Sequence, residues 1–274
     1  MKIRIAFGIK LAILIMITII LVYPLFMVVN TSLKTQEEYL KDRVGLPDTP
    51  RFETYSEVYN KANIPRAMRN SFTIMLMSVA GQLFIGSLAA YAITKMGLRN
   101  SDNWARMFLT PMAFSAQIVI VPLFTMFNVL QLLNTLPSVV LIFIAKGLPL
   151  TIYLLSKFMM TVPSALTEAA RIDGANHFSI YSRIILPLSK VPIMTLIVIN
   201  GMYVWNDFFV PFMFLQKDTL QTLPQTLIVF QSAWSTHWPE VAALTVYTIA
   251  PMFAIYLFFQ KYIITGVGAG AVKG

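Results

Sequence analysis

The feature that most constrains this chain is a series of apolar runs with almost no charge. Each is near the length that carries a helix across a bilayer, about 20 residues. The runs occupy residues 11–29, 71–94, 107–129, 138–160, 191–206 and 241–260. The charge-free stretch 107–145 is too long for one crossing, and Gln131, Asn134, Thr135 and Pro137 mark a turn inside it. The fourth run contains Lys146 and Pro149, and the fifth is short, stopping before Asp207. Only 12% of the residues are charged and 57% are hydrophobic, with mean hydropathy +0.69. Soluble domains carry about 25% charge, so this chain does not cover a water-facing surface. The pattern predicts an all-α integral membrane protein of six transmembrane helices.

Lys2, Arg4 and Lys10 precede the first run, as they would in a secretory signal. That run is longer than the roughly 7–15 residues of a signal core, and no A-x-A cleavage site follows it, so the segment reads as an uncleaved span. With the N-terminus placed in the cytoplasm, the segments on that side carry twelve Lys and Arg against three acidic residues. The opposite side carries eight basic against nine acidic, and Lys146 lies within a run. This asymmetry follows the positive-inside rule and predicts cytoplasmic N- and C-termini. The net charge of +9 is thus a topology signal. No basic, aromatic-interleaved soluble face points to nucleic acid.

Other chemistries find little support. The chain has no cysteine, which excludes disulfides and thiol catalysis. His177 and His237 are far apart and read as loop residues rather than metal ligands. No cluster of carboxylates or histidines sits at membrane depth, and no G-x-x-x-x-G-K-[ST] loop is present to hold nucleotide phosphates.

Between the fourth and fifth runs lies a polar island, residues 161–190, which the charge count places in the cytoplasm. Pro163 suits the first turn of a helix. Ala165, Leu166, Ala169, Ala170 and Ile172 form an apolar face, with Glu168 and Arg171 as an i,i+3 pair on the other side. Gly174 is a natural C-cap. A second short helix is expected from about Phe178 to Leu186, ending before Pro187. By general physics, the segment is either an interfacial loop or a docking element whose small alanines admit another backbone, with Glu168 and Asp173 offering carboxylates to a partner.

The residues Glu168-Ala169-Ala170, Asp173-Gly174-Ala175 and Ile184-x-Leu186-Pro187 strongly resemble the cytoplasmic EAA loop of permease subunits in bacterial ABC importers. Tyr23-Pro24, Ser32-Leu33-Lys34, Asn70-Ser71, Ala90-Tyr91-Ala92, Val162-Pro163, Trp205-Asn206-Asp207-Phe208 and the tail Gly270–Gly274 look like the carbohydrate-uptake branch, and most like maltose-type permeases of the smaller-subunit kind. The resemblance covers most of the chain. It implies the type I importer permease fold in the bacterial inner membrane, with a second permease subunit (a different chain, or else a second copy of this one), two ATPase subunits and an extracytoplasmic solute-binding protein as partners. ATP and Mg would be held by the ATPase subunits, and this chain would need no cofactor. Glu168, Ala169, Ala170, Asp173, Gly174, Leu186 and Pro187 would couple to the ATPase. Glu168 would pair with a basic residue of its cleft, the alanines would permit a close fit and Gly174 would make the turn. The glycine-rich tail (Gly266, Gly268, Gly270) would reach toward the ATPase dimer.

The organisation expected is a first span with an external cap segment (1–67), a permease core (68–265) and a cytoplasmic tail (266–274). Residues 208–240, with Trp234, Trp238 and Pro239, are long enough to reach a binding protein.

Polar residues inside spans tend to face a cavity or a neighbour. Ser71, Ser78 and Gln82 share one helical face, as do Asn200, Tyr203 and Asp207, and Thr245, Thr248 and Tyr256. Ser78, Gln82, Lys146, Asn200, Tyr203, Trp205, Asn206 and Asp207 are the candidate substrate path. Packing between helices is the competing role for each, and an interfacial belt position is a further one for Trp205. Lys146, followed by Gly147 and Pro149, predicts a broken or kinked helix, with substrate contact, subunit pairing and snorkelling as its possible uses. The remaining alternative is a secondary transporter or another polytopic membrane protein not driven by an ATPase. A secondary transporter would be expected to show paired broken helices in two halves, or several intramembrane ionisable groups, and the sequence shows no repeat and one intramembrane lysine.

Overall fold

A backbone that crosses lipid has no water to bond its N–H and C=O groups, so each span closes its hydrogen bonds within itself as a helix. The structure, a computed structural model, describes residues 2–113, 116–231 and 236–271. Trp234 and Val272–Gly274 lie outside them. Four helices are long and apolar enough to cross a membrane: Lys10–Ser32, Ile64–Lys95, Leu136–Thr161 and Trp238–Gln260. Two bent pairs bring the number to six. They are Ser101–Ala113 with Ile118–Val129, and His177–Leu188 with Lys190–Asn206. The third run of the sequence thus extends over both halves of one bent pair, and the fifth is the second half of the other.

The chain forms two compact units, residues 1–67 with 225–251, and residues 68–224 with 252–274. Segment 225–251, read from sequence as part of the core, belongs with the N-terminal residues.

The first unit begins with α1 (Lys2–Ser32). Residues 10–26 are exposed all around it, an apolar surface that only lipid or another subunit covers. Beyond it come α2 (Gln36–Lys41) and α3 (Glu53–Lys61). Thr35 and Glu38 close a capping box at the start of α2, with N–H to Oγ1 at 3.2 Å and N–H to Oε2 at 2.8 Å. Lys34 is fully buried, and its ammonium donates to the Asp42 carbonyl at 2.7 Å. The Asp42 carboxylate accepts the N–H groups of Gly45 and Val44, each at 2.9 Å. These bonds, with a smaller contribution from the Lys34 charge, hold its carboxyl below the ordinary range. Gln36 ties segment 225–251 to this cap: its side-chain amide donates to the Thr236 carbonyl and accepts the Trp238 N–H, both at 3.0 Å.

The second unit holds most of α4 (Ile64–Lys95), then α5 (Ser101–Met107), α6 (Ala116–Val129) and α7 (Leu136–Thr161). The turn before α7 falls where the sequence signals it, with Gln131 and Asn134 in the left-handed region at φ 56°. Thr135 is the N-cap, and Pro137 lies in the first turn. Helix α7 then continues through Pro149, so the helix is not broken there. Polar side chains support its backbone. Gln82 donates to the Phe143 carbonyl at 2.7 Å, and Thr151 donates to the Gly147 carbonyl at 2.8 Å. Small residues let α4 and α7 approach: a Cβ on Gly147 would lie 2.3 Å from Gln82 Cδ, and one on Gly86 2.6 Å from Thr151 Cγ2.

After α7 come α8 (Ser164–Ile172), α9 (His177–Ile180), a π-helical turn at Tyr181–Ile185, α10 (Leu186–Leu188), α11 (Lys190–Asn206) and α12 (Phe209–Phe214). The helix expected to end before Pro187 instead continues through it. The π turn, in which the Leu186 N–H reaches back to the Tyr181 carbonyl, widens the backbone just ahead of the proline ring and relieves its clash with the preceding turn. The direction then changes by 73° at Ser189. The last helix is α13 (Trp238–Ala271).

Gly147→Ala forces the anchored Gln82 amide aside. We predict a loss of about 1–3 kcal/mol, measured as a lowered thermal unfolding midpoint in detergent. An unchanged midpoint would show that the α4–α7 contact is not close-packed.

Candidate coupling loop and transport path

Segment 161–190 is built as two helices joined by a tight reversal. Pro163 is the N-cap of α8, and Thr167 donates to the Ser164 carbonyl at 2.8 Å, so the helix buries a threonine rather than its larger apolar residues. Its end is a Schellman closure. The Ala175 N–H bonds the Ala170 carbonyl at 2.9 Å and the Gly174 N–H bonds the Arg171 carbonyl at 3.0 Å. Gly174 has φ +82°, a conformation that a Cβ disfavours. Asn176 caps the next helix by accepting the Ser179 N–H at 2.8 Å.

The apolar stripe of α8 faces outward. Leu166 is 46% exposed and Ile172 87%, and Phe178 beyond the turn is 72% exposed. Glu168, Ala169, Asp173 and Gly174 are exposed with them, as is Pro187. Ala170 and Leu186 face the other way, against a core of Leu155, Met159, Ile180, Ile185 and Leu196. The expected Glu168–Arg171 pair is not formed. Arg171 donates instead to the Lys95 carbonyl at 3.2 Å, and Glu168 has no ion-pair partner among the described residues.

The candidate path residues separate into three groups. Lys146, Asn200 and Tyr203 come together on a cavity of about 850 Å³ between α6, α7 and α11, otherwise lined by apolar side chains such as Leu123 and Phe127. Lys146 lies 3.4 Å from Asp207 Oδ2 and 5.0 Å from the centre of the Tyr203 ring. Both partners of the pair are partly buried, and Asp207 also accepts the Val210 N–H at 2.8 Å, capping α12. Asn200 donates to the Thr151 hydroxyl at 3.0 Å.

Ser78 and Gln82 form a second group, fully buried away from this cavity. Ser71, on the same face, accepts the Leu223 N–H at 2.8 Å, so this stripe packs against the chain itself. Ser78 Oγ and Gln82 Oε1 are buried without a partner among the described residues. Trp205 and Asn206 make the third group. Trp205 is 1% exposed with its ring edge-to-face on Phe72; Asn206 is exposed at the end of α11. Thr151 and Phe143, which hold Asn200 and Lys146, were not singled out from sequence. Thr151 lies four residues after Gly147, a helical spacing that carries a signal only once a proline is known to sit inside the helix. Among the described residues no group of three His, Asp or Glu forms a metal site.

The family described as the binding-protein-dependent transport system inner membrane component matches residues 82–268. A putative ABC transporter permease protein of a Caldicellulosiruptor species is 32% identical, over 94% of each chain. The melibiose/raffinose/stachyose import permease protein of Bacillus subtilis is 31% identical, over 92% of this chain and 91% of its own. Among solved structures, a chain of a bacterial ABC transporter involved in import of the acidic polysaccharide alginate aligns at TM-score 0.79 and 22% identity, over 94% of this chain and 96% of its own, a likeness of fold. The family match covers more than half of the chain, spanning the α4–α7 core, the outward-facing loop and the cavity, and the chain therefore belongs to the inner membrane components of binding-protein-dependent transport systems, the permease subunits of ABC importers.

Proposed function

We propose that this permease imports a sugar or oligosaccharide and couples to ATPase subunits through residues 161–190. The observation that carries the coupling is the outward apolar stripe of Leu166, Ala169 and Ile172 beside an unpaired Glu168, held rigid by the Gly174 closure. A contiguous exposed apolar patch with a free carboxylate fits a protein cleft that supplies apolar walls and a basic residue. The distribution of Lys and Arg supports a cytoplasmic position for this loop and for both termini. The substrate class rests on relatives named for import of melibiose, raffinose and stachyose, and of arabino-oligosaccharides. A bound partner outside the membrane is supported by the fold neighbour solved with an alginate pentasaccharide-bound periplasmic protein, aligned at TM-score 0.66. A second permease subunit and two ATPase subunits, holding ATP and Mg, complete the machine. This chain supplies one half of the path, with Lys146, Asn200 and Tyr203 on its cavity: an aromatic face for sugar rings, and an amide and an ammonium for hydroxyls.

Co-purification tests the coupling. The wild-type chain is expected to retain an ATPase partner. Glu168→Arg, which reverses the charge, and Gly174→Pro, which breaks the closure, are expected to lose most of it, tenfold or more. Retention in both variants contradicts the docking role. Lys146→Met tests the path: uptake of a labelled oligosaccharide held by the cognate binding protein should fall about tenfold with the complex still assembled. Uptake at the wild-type rate removes Lys146 from the path.

A further inference from the structure

Three polar residues of α4 recur at four-residue intervals, Ser87, Tyr91 and Lys95, and so lie on one stripe of the helix over about 12 Å. Each makes a hydrogen bond to a different part of the segment that follows α7. The Ser87 and Tyr181 hydroxyls are 2.7 Å apart in a buried contact. The Tyr91 hydroxyl lies 3.2 Å from His177 Nδ1, and its ring packs edge-on against Tyr181 with centroids 5.5 Å apart. The Lys95 ammonium donates to the Val162 carbonyl at 2.7 Å, at the C-cap of α7. In the reverse direction Arg171 of α8 donates to the Lys95 carbonyl at 3.2 Å. The space between these bonds is filled by Ala90, Leu155, Met159, Ile180 and Ile185, all buried.

The chain itself connects the loop only to α7 and α11. The stripe adds a third, lateral connection, to a helix 67–94 residues earlier in sequence. It has bonds at the C-cap of α7, at the start of α9 and in the π turn, so it grips the loop on both sides of Gly174. Thr94 is the contrast. Its hydroxyl bonds only the Ala90 carbonyl of its own helix, at 2.7 Å.

We propose that Ser87, Tyr91 and Lys95 are positioning residues that form a rail on α4, through which displacement of the coupling loop is transmitted laterally into this transmembrane helix. This rests on the reading that residues 161–190 dock on an ATPase. A packed contact with polar bonds at three points transmits displacement because close-packed elements shift together rather than deform.

The test uses the assembled permease–ATPase complex with a cysteine-free ATPase partner. The chain has no cysteine of its own and the second permease subunit is likewise made cysteine-free, so an environment-sensitive fluorophore on Leu76→Cys, exposed on α4 and far along it from the rail, reports on this helix alone. The probe is Mg with a non-hydrolysable ATP analogue. The rail predicts an emission shift on nucleotide addition that falls threefold or more in Tyr91→Phe, which keeps the ring, and in Lys95→Met, which keeps the stem. ATPase co-purification, nucleotide affinity and thermal midpoint should be unchanged. Lys95→Arg, which restores a donor, should recover the shift, and Thr94→Val should keep it in full. A full shift in both Tyr91→Phe and Lys95→Met overturns the rail. So does a shift lost only in step with assembly or thermal midpoint, since that is what a purely structural role produces. A wild-type chain that holds no ATPase overturns the docking reading and the rail with it, whereas a wild-type complex that binds nucleotide with no shift at Leu76 overturns the rail alone.

Discussion

The amide of Gln82 on the backbone of α7 is the interaction on which the second unit depends. A polar side chain at membrane depth is costly unless its hydrogen bonds are made within the protein. Its bond to the Phe143 carbonyl requires α4 to approach α7 closely, and Gly147 leaves room for the amide while Gly86 leaves room for Thr151. Thr151, so placed, bonds the Gly147 carbonyl within the turn around Pro149 and accepts Asn200 from α11. Three helices are thereby fixed by one chain of polar contacts, and α7 stays helical through a proline. The cavity and the loop lie on this frame. Lys146 and Asn200 line the one, and the end of α7 starts the other.

Charge is used sparingly and in pairs. Lys146, the intramembrane cation, has Asp207 and the face of Tyr203 beside it. A carboxylate and an aromatic face are both partners that offset part of the cost of placing an ammonium away from water. Asp207 does two things at once: it faces this ammonium, and from the C-cap of α11 it accepts the Val210 N–H in the first turn of α12. In the coupling loop the opposite arrangement holds. Arg171 is drawn to the Lys95 carbonyl, and Glu168, exposed at the surface, has no ion-pair partner among the described residues. A carboxylate without an internal partner, next to exposed apolar side chains, is the kind of surface that gains most from a complementary protein.

How much of this was legible in the sequence depended on whether the physics was local. Run length gave the spans, because bilayer thickness fixes it. Gln131, Asn134 and Pro137 gave the turn before α7, and Gly174 gave the reversal, because left-handed backbone geometry selects for few residue types. Periodicity placed Ser71, Ser78 and Gln82 on one face and Asn200 and Tyr203 on another, but a period does not say which neighbour a face meets. The first face packs on the chain itself and the second lines a cavity. Trp205 carried no local signal of burial, since its partner Phe72 is more than a hundred residues away. The attachment of segment 225–251 to the N-terminal unit was illegible for the same reason, being made through the distant Gln36.

The central claim is that force from ATP hydrolysis enters this permease at the exposed stripe of α8. Because the chain is cysteine-free, an Ala169→Cys variant offers a single thiol at the centre of that stripe. The decisive measurement is short-spacer cross-linking from this thiol in the membrane-embedded complex, with mass spectrometry of the product. The account predicts a covalent adduct with an ATPase subunit, whose yield changes when the non-hydrolysable ATP analogue is added. An assembled complex in which the thiol at position 169 reaches no ATPase residue, with or without nucleotide, would contradict it.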